Sequence, residues 1–137
     1  RALQLAMLPR EFPTCSPSHP IAVHAVMEPA REVGGDLYDC FYAGEHTFYF
    51  LVGDVCGKGA SAAMFMARAR SLVRITVSLW REWRTDEIDP GALLEAVNRE
   101  LCQNNDDCMF VTMFLGLIDT PRCAYGSANA WDPAVVR

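Results

Sequence analysis

The chain has 137 residues, of which 51% are hydrophobic, and a formal net charge of −5. That length gives one compact domain, and the apolar content builds a core and excludes a disordered chain. The acidic balance excludes a general nucleic-acid binder, and with no signal peptide and no run of 18 apolar residues neither secretion nor a membrane span is expected.

Residues 1–8 form a short helical stub with Ala2, Leu5 and Leu8 on one face, the end of a linker helix. Pro9 and Pro13 end it, and residues 14–20 are a Ser/Pro/His loop. Residues 21–27 read as a strand with His24 pointing outward. Pro29 breaks that strand, and Gly34-Gly35 forms a tight corner through a conformation that glycine takes easily. Residues 37–42 and 47–52 flank Ala43-Gly-Glu-His46, the pattern of a hairpin with a short loop.

From Gly59 to Arg84 the apolar period lengthens to about three and a half. Ala62, Phe65, Ala69, Leu72, Val73, Thr76, Leu79, Trp80 and Trp83 make one stripe, and Arg68, Arg70, Arg74, Arg81 and Arg84 are expected to be a solvated face. Asp89-Pro90 is a cap followed by proline at the first helical position, opening a helix that runs to about Gln103. Residues 110–118 are a strand, 119–122 a turn and 124–128 its partner. Strands, two consecutive helices, then strands fit an antiparallel α+β fold and not a parallel doubly wound sheet.

The six cysteines, Cys15, Cys40, Cys56, Cys102, Cys108 and Cys123, form no Cys-x-x-Cys pair, and His19, His24 and His46 lie on no zinc-ligand spacing. They read as reduced thiols in a cytoplasmic protein. The chemistry lies in Glu32-Val-Gly-Gly-Asp-Leu-Tyr-Asp39 and Val52-Gly-Asp-Val-Cys-Gly-Lys-Gly59, where acidic residues stand beside glycines at the edges of apolar runs. Asp36 and Asp54 supply the hard oxygens that Mg²⁺ or Mn²⁺ prefers. Each, taken alone, reads as a turn cap, and two such corners on one hairpin bring the ligand reading level with it. Eighteen residues separate them, enough for a strand, a short loop and a return strand. Asp39 either supports this corner from behind the ligands or is an edge-strand carboxylate facing water. Lys58 either faces an anion or is solvated, and the amides of Gly59 and Ala60 at the helix start offer donors to an anion. A phosphate-binding P-loop is excluded by spacing: three residues separate Gly53 from Gly57, and Gly59 follows Lys58 where that motif needs Ser or Thr.

These two motifs, with Gln4-Leu-Ala-Met-Leu-Pro9, Leu93-Leu-Glu-Ala-Val-Asn-Arg-Glu-Leu101, Phe110-Val-Thr112 and Gly116-Leu-Ile-Asp119, resemble the metal-dependent protein serine/threonine phosphatases (PPM, type 2C-like), in the bacterial sporulation and stress-response subfamily. The resemblance implies an α-β-β-α sandwich of mainly antiparallel sheets with two Mn²⁺ or Mg²⁺ ions between them. It implies Asp36 and Asp54 as metal ligands and catalytic residues, with the Val55 backbone carbonyl as a further ligand. It also implies a phosphorylated regulatory protein as substrate, of the anti-sigma-factor-antagonist kind. An upstream sensor or receiver domain and a homodimer through the N-terminal helix are expected with it. Two departures stand out. The family's later Asp-Gly strand-turn and further Asp are not found, and Asn129-Ala-Trp-Asp132 stands where the family tends to have Asn-Ala-Gly-His. Residues 1–137 are therefore expected to be the N-terminal portion of a single domain. The rival expectation is a catalytically silent module that binds a phosphoprotein with an incomplete metal site.

Overall fold

A computed structural model describes residues 8–27, 35–84 and 86–130. The helical stub falls almost wholly outside the described residues, as do the Gly34 half of the glycine corner, Trp131 and Asp132.

Strands β1 (Asp36–Ala43) and β2 (Thr47–Val55) form a hairpin around a turn in which Gly44 takes φ 70°. Helices α1 (Ala60–Trp83) and α2 (Pro90–Leu101) follow, then β3 (Val111–Asp119) and β4 (Ala124–Ala130). The four strands make one antiparallel sheet in the order β1-β2-β3-β4. Side chains alternate between the faces of a strand. Leu37, Tyr49, Leu51, Val55, Val111, Met113 and Leu115 share one face and bury against Ala62, Phe65, Met66, Val73, Leu93 and Val97 of the two helices. Each fully buried Leu or Val here is worth roughly 1.5–3 kcal/mol over leaving it in water. The α+β class expected from element order is the one observed, with one sheet and one helical layer among the described residues.

The helix starts differ in their chemistry. At α2 the Asp89 carboxylate accepts from the Ala92 amide at 2.7 Å and Pro90 occupies the first turn, as the sequence predicts. At α1 no side chain caps the helix; the chain enters through Gly59 at φ 82°. Ala62 and Ala63 are fully buried in that first turn, so their small side chains let α1 sit close to the sheet.

Three expectations change. Residues 21–27 form no strand; Ile21, Val23, Ala25 and Met27 are half-buried and Ala22, His24 and Val26 exposed, so the alternation is present without a ladder. Strand identity requires a hydrogen-bonded neighbour, and all four described strands pair among themselves. The apolar stripe of α1 leaves the core at its end: Val77 continues it inward, while Leu79 and Trp83 are exposed. The arginines are not simply a solvated face. Arg68 donates to the Glu100 and Gln103 carbonyls at 2.5 and 2.9 Å, satisfying acceptors that the end of α2 leaves open. Arg70 and Arg74 turn toward the sheet, because a buried carboxylate on β1 attracts them. No helix among the described residues is long and apolar enough to cross a membrane. All six cysteines are free thiols.

Candidate active site

The β1–β2 ladder places Asp36 directly opposite Asp54, with Tyr38 opposite Val52 next along the strands. By alternation both aspartates lie on the sheet face that the helices leave uncovered, at the end remote from the hairpin turn. Like charges set directly opposite are unfavourable. The cost shows in the Asp54 carboxyl, which is pushed above the usual carboxylate range first by burial and then by the charge of Asp36. Thr112 of β3 is the neighbour of Asp54 on its other side, and its hydroxyl donates to the Asp54 carbonyl at 3.4 Å. The sequence motif contained Thr112, but its position beside Asp54 followed only from β3 register.

Gly35 precedes this pair and packs against the end of β2. The Val55 amide donates to the Gly35 carbonyl at 3.0 Å, and a Cβ on Gly35 would sit 2.0 Å from the Val55 carbonyl oxygen. Glycine is needed here for space. The sequence expects glycine here for a conformation it takes easily; the contact with Val55 makes space a reason at Gly35. A side chain at position 35 would displace the carbonyl of Val55 itself.

Beyond Val55 the chain turns through Cys56, Gly57, Lys58 and Gly59. Cys56 fixes the loop to β3: its amide donates to the Phe110 carbonyl at 2.9 Å, and the Phe110 amide donates to its sulfur at 3.1 Å. Gly57 and Gly59 take φ 83° and 82°, which strains residues with a Cβ. Lys58 and Gly59 are exposed. Hard oxygen donors from two carboxylates and one carbonyl, with mutual repulsion that a cation would relieve, form a donor set that fits Mg²⁺ or Mn²⁺. Among the described residues no group of three or more His, Cys, Asp or Glu side chains gathers to hold a metal.

Asp39 is not part of this corner, and neither of its expected roles survives. Its side chain is 0% exposed on the helix-facing side of β1. Arg74 Nε and Nη2 donate to its two oxygens at 2.5 and 2.7 Å, and the Cys40 amide donates to Oδ1 at 2.9 Å. Arg70 Nε lies 2.9 Å from Oδ2, and its Nη2 donates to Oδ1 at 3.4 Å. The Arg74 guanidinium also lies 4.5 Å from the centre of the Phe41 ring. Two arginines one helical turn apart thus fasten the middle of α1 to β1 from behind the acidic pair.

The family model described as Stage II sporulation protein E (SpoIIE) matches residues 44–137. The chain belongs to the SpoIIE family. Within and around that family, it is 53% identical over 53 residues to Protein IcfG of Synechocystis sp., covering 39% of this chain and 8% of IcfG. It is 32% identical over 109 residues to Phosphoserine phosphatase RsbU of Bacillus subtilis, covering 78% of this chain and 30% of RsbU. Among solved structures, the SiaA-PP2C domain of Pseudomonas aeruginosa superposes with a TM-score of 0.57 at 21% identity, over 72% of this chain and 37% of that one. That likeness shows the α+β fold of a PP2C domain. The chain spans less than two-fifths of each of these proteins.

Proposed function

We propose that this chain is the N-terminal portion of a single phosphatase domain that removes phosphate from serine or threonine of a regulatory protein, using Mn²⁺ or Mg²⁺. The observation that carries the proposal is the direct opposition of Asp36 and Asp54 on the sheet face away from the helices, with Gly35 packed against Val55 beside them. The name of the relative RsbU, a phosphoserine phosphatase, supports the reaction class.

Asp36, Asp54 and the Val55 carbonyl would hold the ion. A divalent ion so held polarises water for attack and shields phosphate charge. The protein's own contribution is positional. The hairpin register fixes the two carboxylates side by side, and Gly35 leaves the Val55 carbonyl room. The exposed Gly57–Gly59 turn carries little side-chain bulk, and Lys58 within it would attract an anion. A substrate of the anti-sigma-factor-antagonist kind, an upstream sensor or receiver domain and pairing of two copies through the residues before Leu8 belong to the same proposal.

A second reading, a silent module that binds a phosphoprotein without hydrolysing it, is favoured by the size of the acidic group. Two carboxylates meet here among the described residues, whereas two-metal hydrolysis needs enough to hold ions roughly 3.5–4 Å apart. Hydrolysis of p-nitrophenyl phosphate with Mn²⁺ separates the two. Turnover abolished by Asp36→Ala supports the phosphatase. Saturable Mn²⁺ binding with no turnover by this chain or by the whole domain supports the silent module, and no Mn²⁺ binding at all removes both.

A further inference from the structure

At the hairpin end of the sheet, on the helix side, a cleft of about 480 Å³ opens between the β1–β2 turn, the end of α1, the start of α2 and the β3–β4 turn. From Tyr49 to Asp54 is five residues of strand, so the cleft lies about 17 Å from the acidic pair, on the opposite sheet face. It shares no residue with that corner.

Two features of its wall ask for a ligand. Tyr49 lines the cleft while being only 2% exposed, and no hydrogen bond to its hydroxyl occurs among the described residues. The hydroxyl opens onto the cleft, where a bound acceptor can take its hydrogen bond. Arg81 reaches over the turn so closely that a Cβ on Gly44 would lie 2.0 Å from its Nη2. Its guanidinium makes one long contact, 3.5 Å to the Thr47 hydroxyl, and no ion pair among the described residues.

The acids around the cleft do not neutralise Arg81. Asp89 caps Ala92, Glu87 pairs with Arg122, and Asp119 lies 3.7 Å from Arg122 Nε and accepts its backbone amide at 3.2 Å. Asp86 and Arg84 are both exposed at the rim, the Arg84 guanidinium stacked 4.2 Å from the Trp80 ring centre. Ile88 and Leu117 supply an apolar floor.

We propose that this cleft is a second ligand site that takes a small organic anion, its oxyanion held by the Arg81 guanidinium and the Tyr49 hydroxyl and its apolar body resting on Ile88 and Leu117. Guanidinium and phenol are both donors, and a charge-assisted pair of such bonds is the strong kind. Burial raises the Tyr49 pKa more than Arg81 lowers it, which keeps the hydroxyl protonated as a donor. Carboxylate and phosphonate share this chemistry, and the apolar floor demands more than a bare oxyanion.

The test is amide-detected NMR titration of the 137-residue chain in EDTA, which keeps divalent ions out of the acidic corner. Benzoate and phenylphosphonate are the probes, with acetate and inorganic phosphate as the bare oxyanions. The expected result is saturable shifts at Thr47, Arg81 and Tyr125 with an aromatic probe, about tenfold weaker binding in Arg81→Ala and Tyr49→Phe, and weaker binding of the bare ions. Tyr49→Phe keeps the ring stacked on Phe41, so lost binding there is not lost folding. Whichever aromatic probe binds more tightly identifies the oxyanion. The proposal is overturned if neither aromatic probe saturates, if both variants bind as the parent does, or if the shifts centre on Asp36 and Asp54.

Discussion

Asp36 and Asp39 stand three residues apart on one strand and have opposite fates. Asp36 lies on the uncovered face across from another carboxylate. Asp39 lies on the covered face, wholly buried and held by two arginines. The odd spacing decides it, because successive side chains of a strand change faces. A carboxylate buried between two arginines serves packing; two carboxylates set opposite each other offer hard oxygens to a cation. The comparison separates a residue that holds the sheet to its helix from a pair available for chemistry.

The strongest way to break this comparison is Asp39→Ala. It leaves Arg70 and Arg74 facing the core without a counter-charge. Breaking a wholly buried pair costs about 3–5 kcal/mol, and the partial exposure of Arg74 reduces this to about 2–4 kcal/mol by urea denaturation. A loss below about 1 kcal/mol would show that water already screens the cluster.

Gly35→Val comes next. The added side chain meets the Val55 carbonyl, so about 1–3 kcal/mol of stability should go, and Mn²⁺ affinity by calorimetry should fall with it. Normal melting with unchanged Mn²⁺ binding would mean that β2 shifts at no cost and that the carbonyl is not a ligand.

Asp54→Asn sharpens the contrast from the other side. Mn²⁺ affinity should fall about tenfold or more through loss of one charged oxygen, and by more than in Asp39→Asn. Equal Mn²⁺ affinity of the two variants would dissolve the distinction between the faces. Metal-free stability should respond to pH in a matching way. The Asp54 pKa is raised in the folded chain, so its contribution is fully present below the unfolded carboxylate pKa and is lost as pH rises through the folded one. Asp54→Asn should flatten that decline; an unchanged pH profile in metal-free urea melts would assign it to other groups.

The smallest expected effect is Asp89→Ala, a cap remote from both aspartates. It should cost about 1 kcal/mol and leave Mn²⁺ affinity unchanged. A change in affinity would mean that α2 and the acidic corner are coupled.

Much of this arrangement was legible in the sequence. Asp89-Pro90 announced α2, the Ala43-Gly-Glu-His46 turn announced the hairpin, and the spacing from Asp36 to Asp54 allowed both carboxylates to meet at one end of it. Local chemistry writes such features into adjacent residues. Asp39 was not legible, because its partners lie 31 and 35 residues away on α1. A signal was present: Asp39 is in phase with Leu37 and Phe41, which face the core, and Arg70 and Arg74 share one side of a helix. Combining them required knowing which helix covers which face. Residues 21–27 show the converse, since an alternating pattern states that a strand is possible but not what it pairs with.

The place of the two helices in the chain has a consequence for how the domain assembles. The β1–β2 hairpin closes over a three-residue turn and belongs to the class of events completed in about 1–10 μs. The β2–β3 ladder pairs Val55 with Val111, and the whole helical pair lies between them. That junction cannot gain its hydrogen bonds until a long loop has closed, and the closure entropy comes before the reward. The central seam of the sheet is therefore the late event, and substitutions along it, at Leu51 or Leu115, should govern the folding rate more than those in the hairpin turn.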